Sequence, residues 1–239
     1  MSACWAVIPV KSLEIAKSRL APGLSAGDRI SLSLEMLERV LSAVAAEDRV
    51  SPLVISRDPR ALDLAREKRT EVLEDRWEEL NPSLEAASRW CRTRGASCIL
   101  VLHADLPMVR AEDIAAMIDL GRSAPSVVLA PCRRREGTNA LFMQPAGLIP
   151  YAFGPGSFKA HQELASRQAA SLQVYYSPSI ALDIDTMDDL ELFRAELAGI
   201  KETNQAGSAG VSPAPRHTGW KPALPGSVFS SPVAGRNHS

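Results

Sequence analysis

The sequence predicts an α/β protein, a mostly parallel, mixed sheet covered by helices on both faces so that one domain forms three layers. Three observations carry this. Short apolar runs alternate with segments of helical periodicity, the pattern of strands joined by crossover helices. The runs are apolar at nearly every position, as in strands whose two faces are both covered. With 46% hydrophobic and 23% charged residues, a chain of 239 residues suffices for one domain with its own core.

The first strand is Cys4 to Val10. A helix follows from Ser25, where Ser25 and Asp28 have capping-box spacing and Ile30, Leu34, Leu37, Leu41 and Val44 repeat on one helical face. Leu53 to Ser56 reads as a strand, Pro59 to Lys68 as a helix, Glu71 to Leu73 as a strand and Pro82 to Arg94 as a helix. Then come the strand Cys98 to Leu102, the helix Ala111 to Ser123 and the strand Val127 to Pro131. After residue 132 the rhythm changes: a strand at Ala140 to Met143, a Gly/Pro loop, a helix at Phe158 to Arg167, a strand at Leu172 to Tyr176 and a last helix at Met187 to Leu197. No internal repeat is present. From Thr203 to Ser239 there is no Asp or Glu and the segment is dense in Gly, Pro and Ser, which predicts a disordered tail at 203–239 after a folded domain at 1–202.

Charge and cysteine usage exclude several classes. The net charge is −1, from 27 basic and 28 acidic residues, so nothing global draws the molecule to nucleic acid or an anionic membrane. Cys4, Cys91, Cys98 and Cys132 form no C-x-x-C pair, which argues against a zinc knuckle and a disulfide framework and for a reducing cytoplasm. No basic segment precedes the first apolar run, and no run approaches about 18 residues, so the sequence indicates neither export nor a membrane span.

Ligands of open α/β sheets bind beyond the carboxyl ends of the strands, which directs attention to three places. After the first strand, Lys11, Lys17 and Arg19 place three cations within nine residues, suited to a triphosphate, although a K-x-R motif by itself is more often a solvated loop. The fourth strand runs into His103-Ala104-Asp105-Leu106-Pro107; Asp105 is either a carboxylate that holds Mg²⁺ against phosphates or a turn aspartate. Leu182-Asp183-Ile184-Asp185-Thr186 puts two carboxylates on one side of an extended segment, a repulsion that a cation relieves. Asp105, Asp183 and Asp185 together therefore form a candidate divalent-metal site, with Asp185 alternatively capping the last helix, whose first turn holds Asp188 and Asp189.

The third place is a pair of anion-friendly segments, Glu136-Gly137-Thr138-Asn139-Ala140-Leu141 and Phe153-Gly154-Pro155-Gly156-Ser157-Phe158. The second opens a helix whose backbone N–H groups can cradle an anion. His103 reads as a core or supporting residue, and His161, one turn after Ser157, either faces the anion pocket or is buried. Arg133, Arg134 and Arg135 read as a solvated loop.

The order of these motifs, with Leu80-Asn81 before a helix, resembles the 2-phospho-L-lactate / phosphoenolpyruvate guanylyltransferases of deazaflavin-coenzyme (factor 420) biosynthesis, within the MobA-like nucleotidyltransferases. The likeness spans nearly all of residues 3 to 197, and its most specific part is T-N-A-L with G-x-G-S-F and D-I-D-T; A-D-L-P marks only the wider superfamily. Two positions differ from the family's usual residues: Glu79 stands in place of a glycine, and His103 in place of a proline.

The resemblance implies a single-domain, Rossmann-like nucleotide-diphospho-sugar transferase-type fold. It implies Mg²⁺ at Asp105, Asp183 and Asp185, and GTP phosphates at Lys11, Lys17 and Arg19 with Asn81 on the nucleotide. A small phosphorylated carboxylic acid would lie on Thr138, Asn139, Gly154, Gly156, Ser157 and His161, and Asp105, Lys17 and Arg19 would carry catalysis. The acid would join the α-phosphate of GTP with loss of pyrophosphate, and the product would pass to a downstream transferase; a homodimer stays open. A transferase acting on a sugar phosphate or molybdopterin would share the acids but lack the T-N-A-L and G-x-G-S-F pair. A non-catalytic nucleotide-binding module is the reading outside enzymes, and the intact acids speak against it.

Overall fold

A computed structural model describes residues 3–208. The chain divides into two units between Leu197 and Ala198, and the first holds the sheet, its helices and the cleft described below.

The seven strands are β1 (Ala3–Val10), β2 (Val50–Ser56), β3 (Glu71–Glu74), β4 (Ala96–Leu102), β5 (Ser126–Pro131), β6 (Thr138–Gln144) and β7 (Ser171–Val174). They lie side by side in the order β3-β2-β1-β4-β6-β5-β7, and β6 runs antiparallel to both of its neighbours while all other pairs are parallel. The helices are α1 (Ala26–Ala45), α2 (Pro59–Glu67), α3 (Leu80–Arg92), α4 (Ala111–Leu120), α5 (Ser157–Arg167), the single turn α6 (Pro178–Ala181) and α7 (Met187–Ser208).

Strand alternation sorts the core into two layers. Cys98, Leu100 and Leu102 of β4, with Ala140 and Phe142 of β6, meet Leu37, Leu41 and Val44 of α1, Ala61 and Ala65 of α2, and Ile114 and Met117 of α4. Ile99 and Val101, with Leu141 and Met143, meet Leu84, Ala87 and Cys91 of α3 and Phe158 and Ala165 of α5. A smaller cluster, Leu20, Met36, Leu182, Ile184, Leu190 and Phe193, seats the start of α7.

The α1 capping box forms as its spacing indicates: Asp28 N–H donates to Ser25 Oγ and Ser25 N–H to Asp28 Oδ2, both at 3.2 Å. Other boundaries differ for definable reasons. β2 begins at Val50 and includes Pro52, because β3 pairs only from Leu53 onward and the missing proline N–H costs no ladder bond. α3 begins at Leu80, with Pro82 inside the first turn, where an N–H has no helical partner in any case. α7 runs to Ser208, past the expected boundary at 202, since extending an existing helix adds a hydrogen bond per residue and no proline intervenes before Pro213. The rest of the expected tail, 209–239, lies outside the described residues. Among the described residues, no helix is long and apolar enough to cross a membrane.

Gly121 closes α4, and a Cβ there would lie 2.1 Å from the fully buried Phe142 ring. Gly121→Ala should therefore cost about 1–3 kcal/mol by overpacking, seen as a lower Tm with the fold retained. An unchanged Tm would show that the ring can move aside.

Candidate active site

Backbone topology brings the chemistry to one edge of the sheet. β1 and β4 are adjacent and parallel, so the segments that follow Val10 and Leu102 emerge side by side. β6 is antiparallel to β4, so its first residues, Thr138 and Asn139, reach the same edge. The Ile184 N–H donates to the Asp105 carbonyl at 3.3 Å and draws residues 183–185 alongside. A cleft of about 500 Å³ opens there, lined by Lys17, Asp105, Thr138, Ser157, Asp183 and Asp185 among others.

Lys17 lies at its centre. Its Nζ is 2.5 Å from Asp105 Oδ2 and 2.9 Å from Asp185 Oδ1, and its side chain is only 9% exposed. Its backbone takes the left-handed conformation (φ 56°), uncommon outside glycine. Burial by itself would lower the ammonium's pKa, but the Asp105 and Asp185 carboxylates outweigh it and hold that pKa above the ordinary value. For Asp105, burial pushes upward and the Lys17 charge prevails, leaving the carboxyl below its ordinary range. Asp183 goes the other way: burial first, then repulsion by Asp105, raise it, while Asn139 Nδ2 donates to it at 3.2 Å.

The aspartates are not arranged as the sequence suggests. Among the described residues, no three His, Cys, Asp or Glu side chains converge on a common metal position. Lys17 stands between Asp105 and Asp185, which leaves Asp105 and Asp183 as the pair facing a cation. They suit one, because Asp105 Oδ1 is shut off from solvent without a partner among the described residues and Asp183 is repelled by its neighbour. Mg²⁺ needs no more than one or two carboxylates when phosphate and water oxygens complete its shell. Nor does Asp185 cap α7. Thr186 does so, its Oγ1 accepting from Asp189 N–H at 3.4 Å while Asp189 Oδ2 accepts from Thr186 N–H at 2.9 Å.

The other cations sit at the mouth. Arg19 is 76% exposed with a guanidinium nitrogen 4.0 Å from Asp185, and Lys11 is an exposed residue of the lining. The arginine run is exposed, as the sequence indicates; within it Arg133 pairs with Asp189 at 2.8 Å and Arg135 lies over the Tyr176 ring.

Opposite Lys17, Gly154 (φ 138°) and Gly156 (φ 72°) form the turn that launches α5. At the helix start, two of the amides of the expected anion cradle are engaged within the protein. Ser157 N–H donates to Gly154 O at 3.1 Å and Phe158 N–H to Glu136 O at 3.2 Å, so both amides are already engaged. Two hydroxyls stand beside them. Thr138 N–H donates to Ser157 Oγ at 3.0 Å, and Thr138 Oγ1 lies 3.0 Å from His161 Nδ1.

Three expected ligand contacts turn out to support the walls of the cleft. His161 is fully buried, outside the cleft lining, and accepts the Ala152 N–H on Nε2 at 3.0 Å. Asn81 binds Phe153 at both ends of its amide, donating to the carbonyl at 3.0 Å and accepting the N–H at 2.8 Å. Asn139 donates to Ile180 O at 2.8 Å as well as to Asp183. Conversely, His103 lines the cleft, its ring 5.2 Å from that of Phe153, with Nε2 unpartnered among the described residues. Its place directly after β4 is the signal in the sequence, outweighed there because a lone histidine beside an apolar run usually belongs to the core.

Residues 4–214 match the family model for CofC-like guanylyl transferases. The chain belongs to this family. Curated relatives include a phosphoenolpyruvate guanylyltransferase of Rubrobacter xylanophilus, 39% identical over 80% of this chain and 93% of that protein. A 3-phospho-D-glycerate guanylyltransferase of Colwellia psychrerythraea is 34% identical over 78% of this chain and 89% of that protein. A solved nucleotidyl transferase from Methanothermobacter thermautotroptrophicus superposes with a TM-score of 0.63 at 14% identity, covering 84% of this chain and all of that one, a likeness in fold. This CofC-like chain is a nucleotidyltransferase, with the single α/β domain its sequence indicates.

Burial lowers the pKa of His161 to about 4, from an ordinary value near 6.5. As pH falls through 6.5 the unfolded chain takes up this proton and the folded chain does not, so the contribution is complete above 6.5 and lost towards 4. Denaturant titrations at pH 7.5 and 4.5 should show roughly 2–3 kcal/mol of acid destabilisation that His161→Asn lacks. Parallel pH profiles for the two proteins would refute this assignment.

Proposed function

We propose that this protein transfers the guanylyl group of GTP to a phosphorylated three-carbon acid, phosphoenolpyruvate first among them, releasing pyrophosphate, as a step of deazaflavin-coenzyme (factor 420) biosynthesis. The acceptor follows the names of the relatives. The observation that carries the reading is the placement, across one cleft, of an ammonium and carboxylate cluster at Lys17, Asp105 and Asp183 and a hydroxyl pair at Thr138 and Ser157.

The residues divide the work. Lys11, Lys17 and Arg19 bind the triphosphate, and Thr138 and Ser157 donate to the anionic acceptor. Mg²⁺ held by Asp105 and Asp183 would neutralise charge on the phosphates. An oxygen of the acceptor phosphate attacks the α-phosphorus, a new P–O–P bond forms, and the bond to the β-phosphate oxygen breaks so that pyrophosphate leaves. The attacking oxygen is already ionised near neutral pH, so no protein base is required. Catalysis comes from holding two repelling anions in line and neutralising the charge between them. Asn139 orients Asp183, and Asn81 fixes the Phe153 wall. The diphosphate-linked product then goes to a downstream transferase.

The test is pyrophosphate release with GTP and Mg²⁺ in parallel reactions containing phosphoenolpyruvate, 2-phospholactate, 3-phosphoglycerate or no acid. Release that depends on phosphoenolpyruvate is expected, and release only with another of the acids would reassign the acceptor. Asp105→Asn should lower kcat by about 100-fold or more while leaving the Tm within a few degrees. Full turnover in that variant would remove Asp105 from the reaction.

A further inference from the structure

Two hydroxyls face the acceptor side of the cleft, and their hydrogen-bond polarity is fixed from behind. The backbone N–H of Ala152 can only donate, and it meets His161 Nε2 at 3.0 Å, so Nε2 carries a lone pair. The imidazole is neutral, since burial lowers its pKa to about 4, and its one proton therefore sits on Nδ1. Nδ1 lies 3.0 Å from Thr138 Oγ1 and must be the donor there. The threonine oxygen accepts from the ring, which obliges its own hydrogen to point elsewhere, and Thr138 lines the cleft. Ser157 is set in the same way, because its Oγ accepts the Thr138 N–H and its hydrogen is likewise left for the cleft.

We propose that His161 is a positioning residue for the acceptor: through Nδ1–H it occupies one acceptor position of the Thr138 hydroxyl and turns its hydrogen away from the ring, so that Thr138 and Ser157 together favour a fully ionised group of the phosphorylated acid. This rests on the acceptor site assigned above. His161 itself touches no substrate, being fully buried behind Thr138. A ligand group that must itself donate, such as a hydroxyl or a protonated phosphate, finds one acceptor position on each hydroxyl already taken. A doubly or triply accepting oxygen finds both satisfied. The Phe153 ring, packed edge-on to the imidazole at 4.8 Å between centroids and tied through its backbone to Asn81, keeps water away from the relay and the imidazole in place.

Two measurements test this independently. The imidazole ¹⁵N spectrum of the wild-type protein between pH 5.5 and 8 should show His161 as the neutral Nδ1–H form; an Nε2–H form or an imidazolium would overturn the proposal whatever the enzyme acts on. In steady-state assays, His161→Leu should raise the KM for the acid roughly tenfold, about the worth of one hydrogen bond to a charged group, with the KM for GTP nearly unchanged. His161→Asn, whose amide N–H can stand where Nδ1–H stood, should recover most of that loss. Thr138→Val should mimic His161→Leu, and combining the two should add little. Equal effects on both substrates, an unchanged KM for the acid in folded His161→Leu, or no recovery by His161→Asn would each overturn it. A wild-type protein inactive with every acid would instead refute the proposed function, and the spectrum would then decide the polarity by itself.

Discussion

The ammonium of Lys17 is the point on which the cleft depends. Three chain segments that are far apart in sequence, those after β1, after β4 and before α7, each bring like or unlike charge to the same small volume. Without Lys17, Asp105 and Asp185 would repel each other beside Asp183, whose pKa burial and Asp105 already raise. A buried ion pair seldom adds much net stability, because desolvating the charges offsets most of their attraction, whereas removing one partner leaves an uncompensated charge. The cluster therefore fixes the arrangement of the loops more than it stabilises the fold. The left-handed backbone at Lys17 fits this view, since such a conformation persists where surrounding contacts dictate it.

The other wall of the cleft is built on a different principle. It contains no unpaired charge; its donors are hydroxyls whose accepting positions are occupied from behind by a backbone N–H and an imidazole. Buried polar groups must be satisfied, and here satisfying them also sets the direction in which they point. One wall thus discriminates by charge and the other by hydrogen-bond polarity, which suits a reaction in which both substrates are anions but only one is the nucleophile.

The sheet and its layers were legible in the sequence because burial on both faces writes itself as continuous apolar runs, and capping residues such as Ser25 and Asp28 act over four residues. The edge of the sheet that carries chemistry was also legible, since Lys17, Asp105, Thr138, Ser157, Asp183 and Asp185 all line the cleft. What sequence could not supply was the distribution of roles within that set. Asn81 meets Phe153 across 72 residues, His161 meets Thr138 across 23, and Lys17 meets Asp185 across 168. No local pattern encodes such partners. A histidine one helical turn from a serine looks the same whether it points to ligand or supports the threonine behind it. The role of Asp185 stays open in the sequence for the opposite reason: Asp185 and Thr186 are both good capping residues and adjacent, and the contact of Lys17 with Asp185 leaves the cap to Thr186.

The charge balance of the cleft bears on how a nucleotide enters. Lys11, Lys17 and Arg19 contribute three positive charges, and Asp105, Asp183 and Asp185 three carboxylates, so the lining is close to neutral overall. A triphosphate with about four negative charges has to share these cations with the carboxylates, Lys17 with Asp105 and Asp185 and Arg19 with Asp185. Residues 1–202 are together mildly acidic, at about −4. Attraction has to come from charge that arrives with the ligand. The divalent cation proposed above would answer both needs: it would lower the charge of the nucleotide and meet the one carboxylate oxygen of Asp105 that lacks a partner among the described residues. In the proposed reaction the carboxylates would then serve less to store a metal than to disfavour the bare nucleotide, and the triphosphate would enter together with its cation.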